Sequence, residues 1–446
     1  MVSRVPFREL VSDAIGGGWG QETRFADSVP VAVIRGTDFD GVRGGDFAKV
    51  PRRHEARRKA ARRRLRANDL LLEVSGGSPT SGQTTGRSLL VTERMLTQLG
   101  GSVIPASFCR LVRVDESRID PRYAYYALQE MYASGRAGDY EHRSTGISNF
   151  QFEFFLDQEL VALPSLPEQH EIAGVLGALD DKIELNRQMS QTLDSMARAL
   201  FKSWFVDFDP VRAKAGGRHS SLSRRLVEAF PNAFDESETG EIPHEWRVAG
   251  LDEIATFLNG LALQRFPAGE GPVLPVIKIS QLHAGNTEGA DRASADIPGE
   301  YVVQDGDVLF SWSGSLAVEV WSGGPGALNQ HLFKVTSTRW PKWFYYLWTC
   351  QHLGDFSDIA AGKATTMGHI QRHHLSDAKV VVPSLDVMEA ADTVFGPITE
   401  ASWRIRVQSR SLAGIRGSLL PALLGGEIGA RLGGGRLDGD RIRCLT

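Results

Sequence analysis

Apolar and polar positions along this chain form two kinds of pattern, and the pair of patterns occurs twice. Short β-rich runs such as Val29–Ile34 and Val302–Trp312 alternate with turns rich in Gly, Ser and Asp, which predicts strands in a mixed domain. Helical stretches are interspersed at Arg122–Tyr132 and Trp343–His352. A long helical period follows each mixed stretch. In the first, Ile172, Leu176, Leu179, Ile183, Leu193, Ala197, Leu200 and Trp204 recur at alternating steps of three and four, with polar Asn186 and Ser190 filling the seam between Ile183 and Leu193. That spacing predicts a coiled-coil seam. The helix is predicted to start near Pro167, which suits a first turn, and to stop near Phe205 before Pro210. At 1.5 Å per residue it would span on the order of 55 Å. In the second, Phe395, Ile398, Ile405, Leu412 and Leu419 carry the seam. Pro397 predicts a kink or restart, and Pro421 with Gly425-Gly426 predicts the end.

The mixed stretches resemble each other residue by residue. Val33-Ile34-Arg35-Gly36-Thr37-Asp38-Phe39 returns as Val276-Ile277-Lys278-Ile279-Ser280-Gln281-Leu282. The run Asn68–Gly76 returns as Gly306–Gly314, Pro121–Leu128 as Pro341–Trp348, and Leu163–Leu166 as Val382–Leu385. The matches keep their order at an offset of roughly 220 to 240 residues, far longer than a solenoid period of about 20–50. A duplicated domain is implied. The predicted fold class is α+β: two tandem mixed α/β domains, each followed by a long helix, with the helices forming an antiparallel coiled-coil spacer. The alternative is that each helix packs only on its own globule; the length of the seam argues against it.

With 446 residues, 42% hydrophobic and 23% charged, the chain has the composition of a soluble protein with more than one domain. Cys109, Cys350 and Cys444 show no paired spacing, which excludes a disulfide framework and a zinc knuckle. No signal peptide and no membrane-spanning run is evident, so a cytoplasmic location and no membrane partner are expected. The formal net charge is −4, yet Arg52, Arg53, Arg57, Arg58, Lys59, Arg62, Arg63, Arg64 and Arg66 crowd one short stretch. A local basic block on an acidic background fits a protein that meets nucleic acid on one face.

Longer segments carry a resemblance. Leu166-Pro167-Glu168-Gln169-His170-Glu171-Ile172-Ala173, with Leu179–Asn186 and Ala199–Val211, resembles the central conserved region of type I restriction–modification specificity subunits. Gly240–Trp246 looks like that family's approach to a second recognition domain, and Leu419–Ile428 like its C-terminal conserved end. The N-terminus departs from the pattern, with Gly17-Gly18-Trp19 out of the usual place. The resemblance implies a first target-recognition domain over 1–165, a central spacer helix over 166–209, a linker over 210–243, a second recognition domain over 244–384 and a second spacer helix over 385–428; the tail over 429–446, rich in Gly and Arg, is expected to be disordered. It further implies a non-catalytic subunit that reads a split, asymmetric sequence in double-stranded DNA. Two methylation subunits and motor–nuclease subunits would be its partners. S-adenosylmethionine, ATP and magnesium would be used by those partners, with no cofactor held by this chain.

Split reading needs two heads at a fixed separation, phosphate contacts for affinity and base-edge contacts for sequence. The basic run is expected as a helix giving phosphate contacts; a merely solvated helix face is its alternative. Further candidates are Arg35 with Thr37, and Lys278 with Ser280 and Gln281, at equivalent strand ends. Polar loops supply Ser75, Ser78, Thr80, Gln83 and Arg87, then Arg143 and Ser144 in one copy against Lys363, Thr365 and Thr366 in the other. Asn329, Gln330 and His331 add polar reach. The alternative for these loops is that they are turns holding each domain together. The aromatic cluster Trp340–Trp348 is read as core. A metal at His369, His373 and His374 is set aside, because no Cys or carboxylate sits at ligand spacing. No Asn/Asp-Pro-Pro-aromatic methyltransferase motif and no P-loop is present. Two rival readings stand beside the DNA-reading one: a divergent metal-dependent nuclease, and a coiled-coil scaffold that does not read DNA.

Overall fold

The computed structural model describes residues 3–76, 84–144, 147–218, 222–362 and 368–426. They form two units. One comprises the chain up to Glu184 together with the residues from Leu412 onward; the other is Leu185–Ser411.

In the first unit the order is β1 (Ser3–Pro6), β2 (Val11–Gly16), β3 (Ser28–Ile34), α1 (Phe39–Arg43), β4 (Arg52–Ala56), α2 (Arg57–Arg63), β5 (Leu70–Glu73), β6 (Ser75–Gly76), β7 (Ser88–Leu90), α3 (Glu93–Leu99), β8 (Ser102–Pro105), β9 (Cys109–Val114), α4 (Pro121–Ala133), β10 (Glu141–Ser144), β11 (Ile147–Phe150), α5 (Phe152–Gln158), β12 (Leu160–Leu163) and the start of α6 (Leu166–Phe201). Strands β2-β9-β5-β7 make one sheet and β4-β3-β8 another, the β3–β8 pair being parallel. Covered on both faces, β3 reads as a nearly continuous apolar run. Ala32 and Ile34 meet Leu71 and Leu111 on one side, while Val31 and Val33 meet Ala60 of α2 on the other. Helix α4 begins where the Asp120 carboxylate accepts from the Tyr123 amide at 2.8 Å, with Pro121 at its first position; both are strong start signals.

The second unit continues α6 and adds α7 (Asp209–Ala215), α8 (Arg224–Ala229), β13 (Phe234–Ser237), β14 (Gly240–Pro243), β15 (Arg247–Gly250), α9 (Leu251–Ile254), β16 (Thr256–Asn259), β17 (Val273–Ile277), α10 (Ile279–Ala284), β18 (Arg292–Ser294), β19 (Val302–Val303), β20 (Val308–Ser311), β21 (Val318–Val320), β22 (Gly326–Leu328), β23 (Leu332–Thr336), α11 (Lys342–Gln351), α12 (Leu353–Gly362), α13 (Arg372–Asp377), β24 (Lys379–Val382) and most of α14 (Leu385–Leu424). Its sheets repeat the first unit's. β16-β23-β20-β21 matches β2-β9-β5-β7, parallel β17–β22 matches β3–β8, and β15–β24 matches β1–β12. The duplication extends to single atoms. The Gly17 amide donates to the Cys109 carbonyl and the Gly260 amide to the Leu332 carbonyl, each at 3.0 Å. A Cβ on Gly17 would lie 1.9 Å from the Ala106 carbonyl oxygen, and one on Gly260 2.2 Å from that of Asn329. Only glycine lets the backbones approach this closely.

The long helices pair within each unit. In the first, Ile172, Ala173 and Leu176 share a core with Leu420, Leu423 and Leu424, and Arg416 binds Asp180 at 2.6 Å. In the second, Asn186 donates to Gln408 at 3.0 Å and Ser402 to Asp194 at 2.6 Å. Rising α6 numbers thus meet falling α14 numbers, an antiparallel course.

The structure corrects several expectations. Helix α14 is unbroken through Pro397, and Pro421 lies within it; the chain leaves the helix at Gly425-Gly426, with Gly426 at φ +73°. Helix α6 changes to a π-turn over Lys202–Val206, where Trp204 and Phe205 are buried. Residues 210–243 are no bare linker: Val211, Leu226, Phe230 and Ile242 enter the second unit's core beside Trp246. The basic run is not one helix either. Its first part, Arg52–Ala56, is strand β4, and only Arg57–Arg63 is helical.

Candidate nucleic-acid interface

The repeated Val-Ile-basic segment proves to be a strand-to-helix turn. In the first unit the Asp38 carboxylate accepts from the Arg35 amide at 2.9 Å and from its guanidinium at 2.7 and 3.0 Å. In the second the Gln281 side chain accepts from the Lys278 amide at 3.3 Å, and Lys278 pairs with Asp291. Both turns are thus capped by the residue three positions on, as in a capping box. Thr37 and Ser280 are exposed at these turns, while Gln281 is buried. Gly36 faces Glu73 so closely that a Cβ would stand 2.1 Å from its carboxylate oxygen. Glu73 in turn holds Arg87 through contacts of 2.8 and 2.9 Å, and Arg87 also reaches the Gly36 carbonyl at 2.9 Å. Hydrogen bonding to Glu73 raises the Arg87 guanidinium pKa further. Arg35, Lys278 and Arg87 therefore serve internal pairing.

The basic run divides the same way. Arg53 pairs with Glu22 at 2.6 Å and lies over the Trp19 ring, Arg57 pairs with Asp27 at 3.3 Å, and Arg63 with Glu55 at 3.1 Å. Arg52, Arg58, Lys59, Arg62 and Arg64 are exposed, and among the described residues none of them has an ion pair. Arg57, Arg64 and Arg66 line a groove of about 810 Å³ whose other wall includes Leu96 and Thr97 of α3.

In the second unit the β22–β23 connection carries Asn329, Gln330 and His331. Buried Asn329 donates to the Gln330 side chain at 2.8 Å, and His331 lies 3.0 Å from the Ser313 hydroxyl. The Trp312 indole, half-buried, donates to Asn259 at 3.0 Å and packs near His331 and His369. Neither Trp312 nor Asn259 was expected here. The signal for Trp312 was its place beside Ser313 in the repeated strand end, where the other copy has Val74 beside Ser75. Ser75 donates to Asn149 at 3.1 Å. Ser78, Thr80, Gln83, Lys363, Thr365, Thr366 and the segment 429–446 lie outside the described residues, as do the side chains of Arg143 and Ser144, whose backbone is in β10. Trp340, Trp343, Phe344, Tyr345, Tyr346 and Trp348 are core. Among the described residues no three His, Cys, Asp or Glu side chains gather as a metal site, and no helix is long and apolar enough to cross a membrane.

The family described as "Type I restriction modification DNA specificity domain" matches residues 69–195, from the start of β5 into α6. The Type I restriction enzyme HindI specificity subunit of Haemophilus influenzae is 25% identical over 60% of this chain and 68% of its own length. The MjaIX specificity subunit of Methanocaldococcus jannaschii is 25% identical over 60% of each chain. Over residues 69–195 the chain is thus similar to the type I restriction–modification specificity subunits. The fold of this chain is similar to that of the type I restriction–modification system S subunit from M. genitalium, at a TM-score of 0.53 and 14% identity, covering 95% of this chain and 96% of that one.

Proposed function

We propose that this chain is a type I specificity subunit that reads a two-part, asymmetric DNA sequence, one half with each unit, and performs no chemistry itself. The observation that carries the reading is the duplication: the same sheets, the same capped strand-to-helix turn and the same glycine approach occur once per unit. A two-headed reader needs two such scaffolds with different surface residues. At equivalent strand ends Thr37 in one unit and Ser280 in the other offer exposed hydroxyls, and the polar Asn329–His331 connection adds amide and imidazole groups in the second, as hydrogen-bonding groups for base edges. Helices α6 and α14, which contribute to both units, would set the spacing between the half-sites.

The same helices supply the docking surface for methylation subunits in this reading. Leu185, Met189 and Met196 are large apolar side chains left 43–49% exposed on α6, at helical spacing along one side. Apolar side chains aligned in this way mark a protein-contact face. Two methylation subunits and the motor–nuclease subunits would bring S-adenosylmethionine, ATP and magnesium; this chain would hold none of them. Cytoplasmic work on chromosomal DNA follows from that role.

The test is a methylome. The chain is expressed with a methylation subunit of its system, and modified adenines are mapped across the host genome. One two-part motif that vanishes when this chain is omitted is the expected result. A stable complex without new methylation would refute DNA reading; absence of a complex would favour a scaffold with other partners.

A further inference from the structure

Helix α2 is built against its own interests. Its seven residues hold five cations: Arg57, Arg58, Lys59, Arg62 and Arg63. Three of them fill the first turn, which has no acidic residue, and the N-cap Ala56 offers no side-chain acceptor. Cations at that end oppose the helix dipole, an uncapped start leaves amides without partners, and Arg58 faces Arg62 as a like-charge i,i+4 pair. The helix is held by burial of Ala60 against Val31, Val33 and Ile104. At about 100° per residue, Arg58, Lys59 and Arg62 share one arc on the side away from Ala60. All three are exposed, and among the described residues none has an ion pair.

Among its described residues the sister unit has nothing of the kind. After β18 its chain passes through Asp296, Pro298 and Glu300 to β19 without an α-helix, and no helix separates β21 from β22 where α3 separates β7 from β8. Three outward cations on a helix destabilised by those same cations, in a chain of net charge −4, point to a polyanion outside the protein. Resting on the DNA-reading function above, we propose that α2 is a sequence-neutral clamp on the DNA phosphate backbone, so that the two heads are unequal. The first supplies salt-sensitive grip through Arg58, Lys59 and Arg62, and the second lacks this grip.

The test uses the full chain in complex with its methylation subunit, carrying Arg58→Gln, Lys59→Gln and Arg62→Gln together. Affinity is measured between 50 and 200 mM salt for a duplex bearing the methylated motif and for a scrambled duplex. Each lost phosphate contact flattens the log–log salt slope by about 0.9, so the slope should fall by about 2.7 on both duplexes. The ratio between the duplexes and the methylated motif should be unchanged, and the melting temperature should not fall, because repulsion has been removed. An unchanged slope on both duplexes overturns the clamp. So does a collapsed ratio, which would make these residues base readers, or a lost methylation subunit, which would make the face a protein contact. If the unaltered complex shows no preference for the motif duplex, the underlying reading fails, and the clamp with it.

Discussion

A single carbon added at Gly17 or Gly260 would collide with a carbonyl oxygen of the neighbouring loop at 1.9 or 2.2 Å. Gly17→Ala and Gly260→Ala should each lower stability by about 1–3 kcal/mol, the usual range for overpacking, with urea unfolding as the measurement; an effect under ~0.5 kcal/mol would show that the loops yield freely. Arg87→Ala should cost more, about 3–5 kcal/mol, because it strands the Glu73 carboxylate, 7% exposed, without its cation. Adding Glu73→Ala should restore part of the loss. No change in melting temperature for Arg87→Ala would return Arg87 to the pool of DNA contacts. Here the sequence was least legible. Arg87 stands in a run rich in Gly, Ser and Thr and looks like a free cation; its partner Glu73 lies 14 residues back and closes on it only when β5 is paired. Arg35 and Lys278 were correctly placed at strand ends, but a basic residue type does not reveal that Asp38 and Asp291 already occupy it.

Among the elements, the long helices were the easiest to read, because steps of three and four over many turns have few alternative explanations. What periodicity hid was the character of the pairing. The most buried positions midway along α6 are Asn186 and Ser190, and Ser402 is buried on α14, while Ile183, Leu193 and Ile405 are only half-buried. Polar groups in such a seam specify register at some cost in stability. Pro397 was expected to interrupt α14, yet Val387, Ala391 and Phe395 anchor the preceding turns in the core, and burial outweighs the loss of one backbone hydrogen bond. Strand β4 was missed for a related reason. Arg52–Ala56 has helix-forming neighbours, but β3 needs an edge partner, and tertiary pairing overrides local propensity. Two variants separate the surfaces of α6. Leu185→Asp with Met189→Asp, on exposed positions, should weaken binding of the methylation subunit at least tenfold and leave the chain's own melting temperature nearly unchanged. Ile183→Asp, half-buried in the seam, should lower both. Co-purification and thermal unfolding distinguish them, and wild-type affinity in the first variant would remove the stripe from the docking surface.

For the whole molecule, the duplication was visible in the sequence because buried strands keep their apolar residues in order even when surface residues diverge. Exchanging residues 1–160 for those of another specificity subunit should therefore change one half of the methylated motif and leave the other; a change in both halves would contradict one-head, one-half reading. What the sequence did not reveal is that the first unit is discontinuous. That depends on which end of α14 supplies Leu420, Leu423 and Leu424 to which core, a matter of three-dimensional packing with no local marker.

This split sets an order of events on the ribosome. The first unit is begun first and completed last: Ile172, Ala173 and Leu176 lack their partners on α14 until Leu424 has been synthesised. At roughly 5–20 residues per second, that wait lasts tens of seconds, long enough for the nascent apolar surface to meet a chaperone or another chain. A premature stop after Ser411 should accordingly damage the part of the protein made earliest, raising hydrogen exchange in the first unit's α4 and α6 while the sheets of the second stay protected. Equal protection in both units would show that the early-made half can finish folding without the last helix turns.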